Sequence, residues 1–329
     1  MSAPYTIGVD LGGTNIKFAV IDEAGGIVTR KIVSTDGHEG HDAVLQRMIT
    51  GVRDLQPFVP GGAPIEAVGV GVPGMLDMPS GTTLDLPNLP GKWAKVAVKG
   101  IMERALSMPV HVINDVRAFT LAELELGAAR GASTVVCYAI GTGIGGGIAF
   151  EGKVHFGIGG SAGELGHIIV NPDGVQCSCG NRGCVEALAS GPAIIGEANR
   201  RVVQGFTTRL TEIIEDDLNR MTPAIVEQAA AEGDPIAMEI LQRAGHYLGL
   251  SMAGIIAAVA PEIVVVGGGV VKPFGVFWTA FESTARANNT VTEMDRVSFV
   301  PASLGYEAGV IGAALWGRMV ERGLAVPAA

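Results

Sequence analysis

The chain is poor in aromatics, cysteines, basic clusters and long apolar runs, and each shortage excludes something. Phe, Tyr and Trp make up 5% of its 329 residues, against 48 glycines. The glycines show no collagen-type repeat, so they are expected at tight turns and where backbone must approach backbone. With only four cysteines, no disulfide framework is suggested. Cys137 lies inside an apolar run and reads as a small buried hydrophobe. No stretch is rich in Lys or Arg, and the formal net charge is −10 with a pI of about 5.1. Nucleic-acid surfaces carry basic patches, so no nucleic-acid partner is expected. A nucleotide remains open, because backbone N–H groups and a metal can hold it. The longest apolar run, Tyr247 to Ala260, is too short to cross a bilayer. Met-Ser-Ala-Pro-Tyr at the start lacks a charged region followed by an apolar one, so no signal peptide is expected. The reading is a cytoplasmic protein without a membrane partner, long enough for two domains.

What is present centres on the stretch from Glu164 to Glu186. His167, Cys177, Cys179 and Cys184 supply one imidazole and three potential thiolates. Cys3His is a standard tetrahedral zinc set, and with all four positions filled the zinc would be structural. The spacing is not that of a finger, since one residue separates the first two cysteines. Gly180 and Gly183 would let the chain turn so that Cys184 reaches the same ion. The bland alternative, three reduced thiols on an exposed glycine-rich loop, is an unusual arrangement. Two carboxylates, Glu164 and Glu186, flank the set.

Along the chain, Thr6–Asp10, Ile16–Ile21 and Ile27–Val33 read as a β-meander with turns at Gly12-Gly13 and Gly25-Gly26. Val44, Leu45, Met48, Ile49, Val52 and Leu55 fall on one helical face. Ala67–Val72 reads as a buried strand closed by Pro73-Gly74, and 75–93 as loop. A helix over 96–106 leads to a strand over 110–113 ending in Asn114-Asp115, then to a helix over 117–129. Strand 134–140, a glycine loop over 141–147 and strand 148–150 repeat the opening pattern, with Thr14 and Thr142 each inside the turn. That repetition suits two related α/β domains facing a shared cleft. The second half reads as mostly helical, with a strand over 262–266 running into Gly267-Gly268-Gly269. The expected division is 1–117 plus 305–329 for a smaller domain and 118–304 for a larger one carrying the zinc loop, hinged near 115–120.

Gly141-x-Gly143-x-x-Gly146 satisfies the dinucleotide fingerprint, which needs a helix directly after it. Residues 147–154 are strand-like instead, so NAD is disfavoured. A glycine-rich hairpin turn still offers N–H groups to an anion. Two such turns, one with Asp10 and Thr14 and the other with Thr142, could hold a triphosphate, and an acid at its end could hold hydrated Mg²⁺. Taken singly, each turn could be plain hairpin geometry. Asn114-Asp115 likewise reads either as a functional pair or as an ordinary helix N-cap.

These motifs resemble the ROK group of sugar kinases and sugar-responsive repressors, within the actin-like ATPase (ribonuclease H-like) superfold. Asp10, Gly12, Gly13, Thr14, Asn15 and Lys17 look like its first phosphate motif. Gly141, Thr142 and Gly143 look like the second, and Gly267, Gly268 and Gly269 like the adenosine motif. The resemblance implies a duplicated α/β fold around a central cleft. It also implies a glucokinase-type transfer from ATP, with Mg²⁺, to the 6-hydroxyl of a hexose, within glycolysis. Asp115 would be the catalytic base. Asn114, Glu164, His167 and Glu186 would contact the sugar, with Gly74 and Asn88 as weaker candidates. An N-acetylhexosamine, mannose or fructose kinase, or a sugar sensor without enzymatic activity, are the alternatives. The repressors' helix-turn-helix module is not expected, because the first strand begins within six residues of the start. A homodimer or homotetramer is expected.

Overall fold

The computed structural model describes residues 4–86, 89–270 and 273–327. Asn88 therefore lies outside the described residues. The chain opens with strands β1 (Tyr5–Leu11), β2 (Asn15–Ile21) and β3 (Ile27–Ser34), followed by helix α1 (His41–Leu55). β1 is buried on both faces after Tyr5, as suits the middle of a covered sheet, while β3 alternates half-buried with exposed residues, as an edge strand does. α1 buries the six apolar positions that the spacing marks. β4 (Ile65–Val72) comes next, then a short hairpin of β5 (Met75–Asp77) and β6 (Thr82–Asp85), α2 (Val98–Leu106), β7 (Val110–Asn114) and α3 (Asp115–Glu125). The segment 75–93 is thus not all loop. Its turn-rich composition hides two antiparallel strands held by the pairing of Leu76 with Thr83.

β8 (Val135–Ile140) and β9 (Ile144–Phe150) meet at a tight turn, and β10 (Lys153–Val154) returns along β9. The expected glycine loop over 141–147 is therefore only a three-residue turn, because Gly145, Gly146 and Gly147 lie within β9. Beyond it come α4 (Val185–Ala189), α5 (Gly191–Val203), α6 (Arg209–Ile213), α7 (Pro223–Ala231), α8 (Pro235–Val259), β11 (Ile263–Gly267), α9 (Val276–Ala287), β12 (Ser298–Pro301) and α10 (Ala308–Glu321). Among the described residues no helix is long and apolar enough to cross a membrane.

The strands form two five-stranded sheets, ordered β3-β2-β1-β4-β7 and β10-β9-β8-β11-β12, plus the β5-β6 pair. In both large sheets a three-strand meander is extended by two strands parallel to its first member. The repetition glimpsed in the two glycine turns thus extends to whole sheets. Two compact units divide the chain: residues 1–131, 148–163 and 303–329 form one, and 132–147 with 164–302 form the other. The expected boundary at 117/118 falls inside α3 and is corrected to 131. α3 is buried from Arg117 to Leu124 and packs along α10, so it cannot be parted from the first unit.

In the first unit α10 lies directly on the sheet, and missing side chains allow it. A Cβ on Gly69 would stand 1.7 Å from the Ala313 carbonyl oxygen, and one on Gly8 2.0 Å from that of Val310. On the other side of α10, a Cβ on Gly312 would stand 1.8 Å from the Ala118 carbonyl oxygen. The buried carboxylate of Glu123 accepts from the backbone N–H groups of Ala128, Ser303 and Leu304 at 2.8, 3.1 and 2.9 Å, so its burial is compensated. In the second unit the same device joins α8 to α9, where a Cβ on Gly245 would stand 2.3 Å from the Phe277 carbonyl oxygen.

A pair of substitutions separates close approach from simple flexibility. Gly69→Ala should lose about 3 kcal/mol or more, because overpacking here meets backbone that cannot move aside. Gly254→Ala, exposed within α8 with nothing within 4 Å of the added atom, should gain up to about 1 kcal/mol from helix propensity. Urea unfolding of both variants checks the two signs.

Candidate functional site

Two of the three parallel strands of the first unit, β1 and β7, have an acid near or just past their carboxyl ends, the edge at which open α/β sheets place ligands. Asp10 is the penultimate residue of β1 and pairs in register with Gly71 of β4, which pairs with Ile113 of β7. Asn114 ends β7 and Asp115 opens α3. Two strand spacings thus put Asp10 and the Asn114-Asp115 pair about 10 Å apart along one edge. Asn114 is the N-cap of α3. Its Oδ1 accepts from the backbone N–H of Val116 and Arg117 and from the Arg117 guanidinium, while its Nδ2 donates to the Gly74 carbonyl at 3.0 Å. The cap reading is therefore realised, and Gly74, at φ 80°, is held against Asn114 by its carbonyl. Asp115 Oδ1 accepts from Val116 N at 2.9 Å, and the residue stays half-buried at the head of the helix.

The first glycine turn runs from Gly12 to Asn15, closed by Gly12 N–H on the Asn15 carbonyl at 3.0 Å. Gly13 and Thr14 are exposed at its tip. Lys17 lies opposite Asp10 in the β1–β2 register, and its Nζ donates to Asp10 Oδ2 at 2.9 Å. The same ammonium donates to the Tyr306 carbonyl and sits 3.7 Å from the centre of the Tyr306 ring. The motif lysine thus has three anchors, two of them from Tyr306, which carries no motif and could not be found from sequence spacing.

In the second unit His167, Cys177, Cys179 and Cys184 converge, their ligand atoms all within 4.8 Å of one another. Cys179 and Cys184 sulfurs stand 3.7 Å apart, as do Cys177 Sγ and His167 Nδ1. Four ligands at about 2.3 Å from one ion would stand about 3.8 Å apart, so the set fits a tetrahedral zinc. Left to the protein alone, burial pushes the Cys184 thiol up to about 12, while the Asn181 backbone holds Cys179 below its ordinary value. A bound cation would draw these groups to thiolates. The loop is zipped by main-chain bonds, among them Gly183 N–H to the Val175 carbonyl and Val170 N–H to the Gly183 carbonyl. Gly183, at φ 70°, leaves no room for a side chain: its Cβ would stand 1.5 Å from the Asn171 carbonyl oxygen.

Both segments that carry these ligands press on the second glycine turn. Gly166, beside His167, approaches the Ile144 carbonyl so closely that a Cβ would stand 1.9 Å from its oxygen. Leu165 fills the space above Gly146. Glu186, two residues after Cys184, accepts from Ile144 N–H through Oε2 at 2.9 Å. Thr142 is exposed at the tip of that turn, between Gly141 and Gly143, and Glu164 is exposed ahead of the Leu165–His167 turn. Gly267-Gly268-Gly269 closes β11, the parallel neighbour of β8, so this turn and the second glycine turn leave adjacent strand ends. Gly268, at φ 102°, folds back onto the end of β8, where a Cβ would stand 2.1 Å from the Ile140 carbonyl oxygen. Beside Gly269 and Val270 lies a groove of about 470 Å³ whose other wall is α7, through Ala224, Glu227, Gln228 and Ala231. Sequence spacing gave no sign of α7's part, because an amphipathic helix looks alike whether it lines a core or a groove.

Three comparisons bear on this arrangement. The family described as the ROK family matches residues 6–319. A glucokinase of Halalkalibacterium halodurans is 33% identical over 315 residues, 95% of this chain and 94% of that protein. The N-acetylmannosamine kinase of Escherichia coli is 29% identical over 313 residues, 95% and 98% of the two chains. Among solved structures, a ROK family glucokinase from Streptomyces griseus in complex with glucose and AMPPNP is 32% identical. It has a TM-score of 0.84 and covers 96% of this chain and 99% of that one. With such neighbours, the duplicated α/β architecture is the actin-like ATPase fold.

The purified protein should carry one equivalent of zinc. Gly183→Ala should abolish it, since the turn cannot close around an added carbon. Gly180→Ala, strained by its φ of 95° but with open space around it, should cost roughly 1–2 kcal/mol and keep the metal. Elemental analysis of the three proteins distinguishes these outcomes.

Proposed function

The chain belongs to the ROK family, and from that premise we propose that it is an ATP-dependent kinase acting on the 6-hydroxyl of glucose. The observation that carries the reading is the position of Asp115 directly after β7, on the sheet edge where Asp10 stands one residue from the end of β1. A 33% identity to a glucokinase over 95% of the chain points to the same acceptor. Asp115 would accept the proton of the attacking hydroxyl, and Asn114, by capping α3, would hold that carboxylate in place. Glu164, His167 through Nε2, and Glu186 through Oε1 suit vicinal sugar hydroxyls. His167 turns Nδ1 toward the thiols, which would fix its tautomer when zinc is bound.

The Gly12–Thr14 turn, with Lys17 beside it, and separately the Gly141–Gly143 turn each offer groups suited to phosphate oxygens. Gly267–Gly269 and the groove along α7, of a size suited to a small ligand, would take the adenosine. ATP, when bound, supplies the phosphoryl group, and Asp10 would hold the hydrated Mg²⁺ that offsets phosphate charge.

A coupled assay over a panel of hexoses and N-acetylhexosamines, with ATP, ADP and polyphosphate as donors, tests the proposal. Glucose with ATP should give the highest kcat/KM. Asp115→Asn should lower kcat by about 10²–10⁴-fold and leave glucose binding in place. Preference for N-acetylmannosamine would reassign the acceptor, and no turnover with any sugar would sink the enzymatic reading.

A further inference from the structure

Glu186, assigned above to the sugar, also reaches the second glycine turn, assigned above to phosphate. Its Oε2 accepts from Ile144 N–H at 2.9 Å, and a Cβ on Gly143 would lie 2.5 Å from that same oxygen. Gly143 is therefore bare so that the carboxylate can reach the backbone behind the turn. Its φ lies outside the left-handed region, so conformational freedom is not what the position needs. The turn is held elsewhere as well, by Gly141 N–H on the Gly143 carbonyl at 2.9 Å and by Gly191 N–H on the Gly141 carbonyl at 3.0 Å. Gly191 comes directly after the segment that Glu186 begins, with Ser190 N–H bonded to the Glu186 carbonyl. One short stretch, from Glu186 to Gly191, thus grips both ends of the turn. Oε1 of Glu186 makes no protein hydrogen bond among the described residues and is left for a ligand hydroxyl.

We infer that Glu186 is a positioning residue that couples the two substrates, so that a sugar hydroxyl on Oε1 and a nucleotide phosphate on the Gly141–Gly143 turn bind with positive cooperativity. This rests on the kinase reading above. A hydroxyl donated to Oε1 restricts the side-chain torsions of Glu186, and the restricted carboxylate fixes the Ile144 N–H and with it the turn. The nucleotide then meets a turn already ordered. Linkage requires the reverse effect to be equal, so nucleotide must tighten sugar by the same factor.

Gly143→Ala tests the coupling by moving the Glu186 carboxylate off the Ile144 N–H, with Glu186, Asp115 and the metal ligands themselves left unsubstituted. The added methyl meets only the end of a flexible side chain, so the carboxylate shifts and the fold is kept, which retained zinc content confirms. Titration calorimetry of AMPPNP binding to the full chain is run with and without saturating glucose. In the native protein glucose should tighten AMPPNP about tenfold. In Gly143→Ala that factor should fall below about twofold while glucose alone binds within about threefold of normal. Glu186→Asp, one methylene short of Ile144 N–H, should also lose the factor. Gly141→Ala, whose Cβ meets nothing within 4 Å, should keep it even if AMPPNP binds more weakly overall. Full cooperativity in both Gly143→Ala and Glu186→Asp, or none in the native protein, overturns the inference and leaves the kinase reading standing. Failure of the native protein to bind either ligand overturns both.

Discussion

Backbone lies on backbone throughout this molecule, and that is possible only where a side chain is missing. The constraint is steric and admits little compromise: a carbonyl oxygen stands 1.7 Å from where a Cβ of Gly69 would be, 1.5 Å for Gly183, 1.9 Å for Gly166 and 2.1 Å for Gly268. No rotamer change relieves such a contact, because both partners are main chain. The same device seats α10 on the first sheet, closes the metal loop and presses the Glu164–His167 segment against β9. The site residues are thereby carried on segments whose separations are set by peptide geometry. Side-chain packing then has less to fix, which suits a chain with so few aromatic rings.

Local patterns made much of this legible. The opening meander, the α1 face and the Cys3His tetrad each depend on residues close in sequence, so spacing alone exposed them. The glycines of β9 misled for a physical reason. Gly146 exists to admit Leu165 from a distant segment, and a strand glycine with a tertiary purpose looks in sequence like a loop glycine. The hydrogen bond from Ile144 to Glu186 spans 42 positions and leaves no periodic trace. The first boundary was misplaced because α3 belongs with α10, a helix met only near the end of the chain. Asn114-Asp115 was legible as a pair with two readings, of which the structure realises the cap on Asn114, with Asp115 half-buried beside it.

Charge is placed with similar restraint. Asp10 is nearly buried and would be costly alone, and Lys17 compensates it from the neighbouring strand. Lys17 is in turn steadied by the carbonyl and ring of Tyr306. A cation is therefore kept beside the first glycine turn by contacts that survive if the carboxylate turns to another partner.

The seating of α10 also has a meaning in time. Strands β1 and β4 are made early in synthesis, whereas the helix whose carbonyls rest against Gly8 and Gly69 emerges among the last residues. Until then one face of the first sheet has no cover, and the Glu123 carboxylate lacks the Ser303 and Leu304 amides that satisfy it. The second unit is built from residues 132–147 and 164–302, a nearly continuous stretch. During synthesis the first sheet therefore waits for a helix made more than two hundred residues after β4, with that face exposed to chaperones meanwhile.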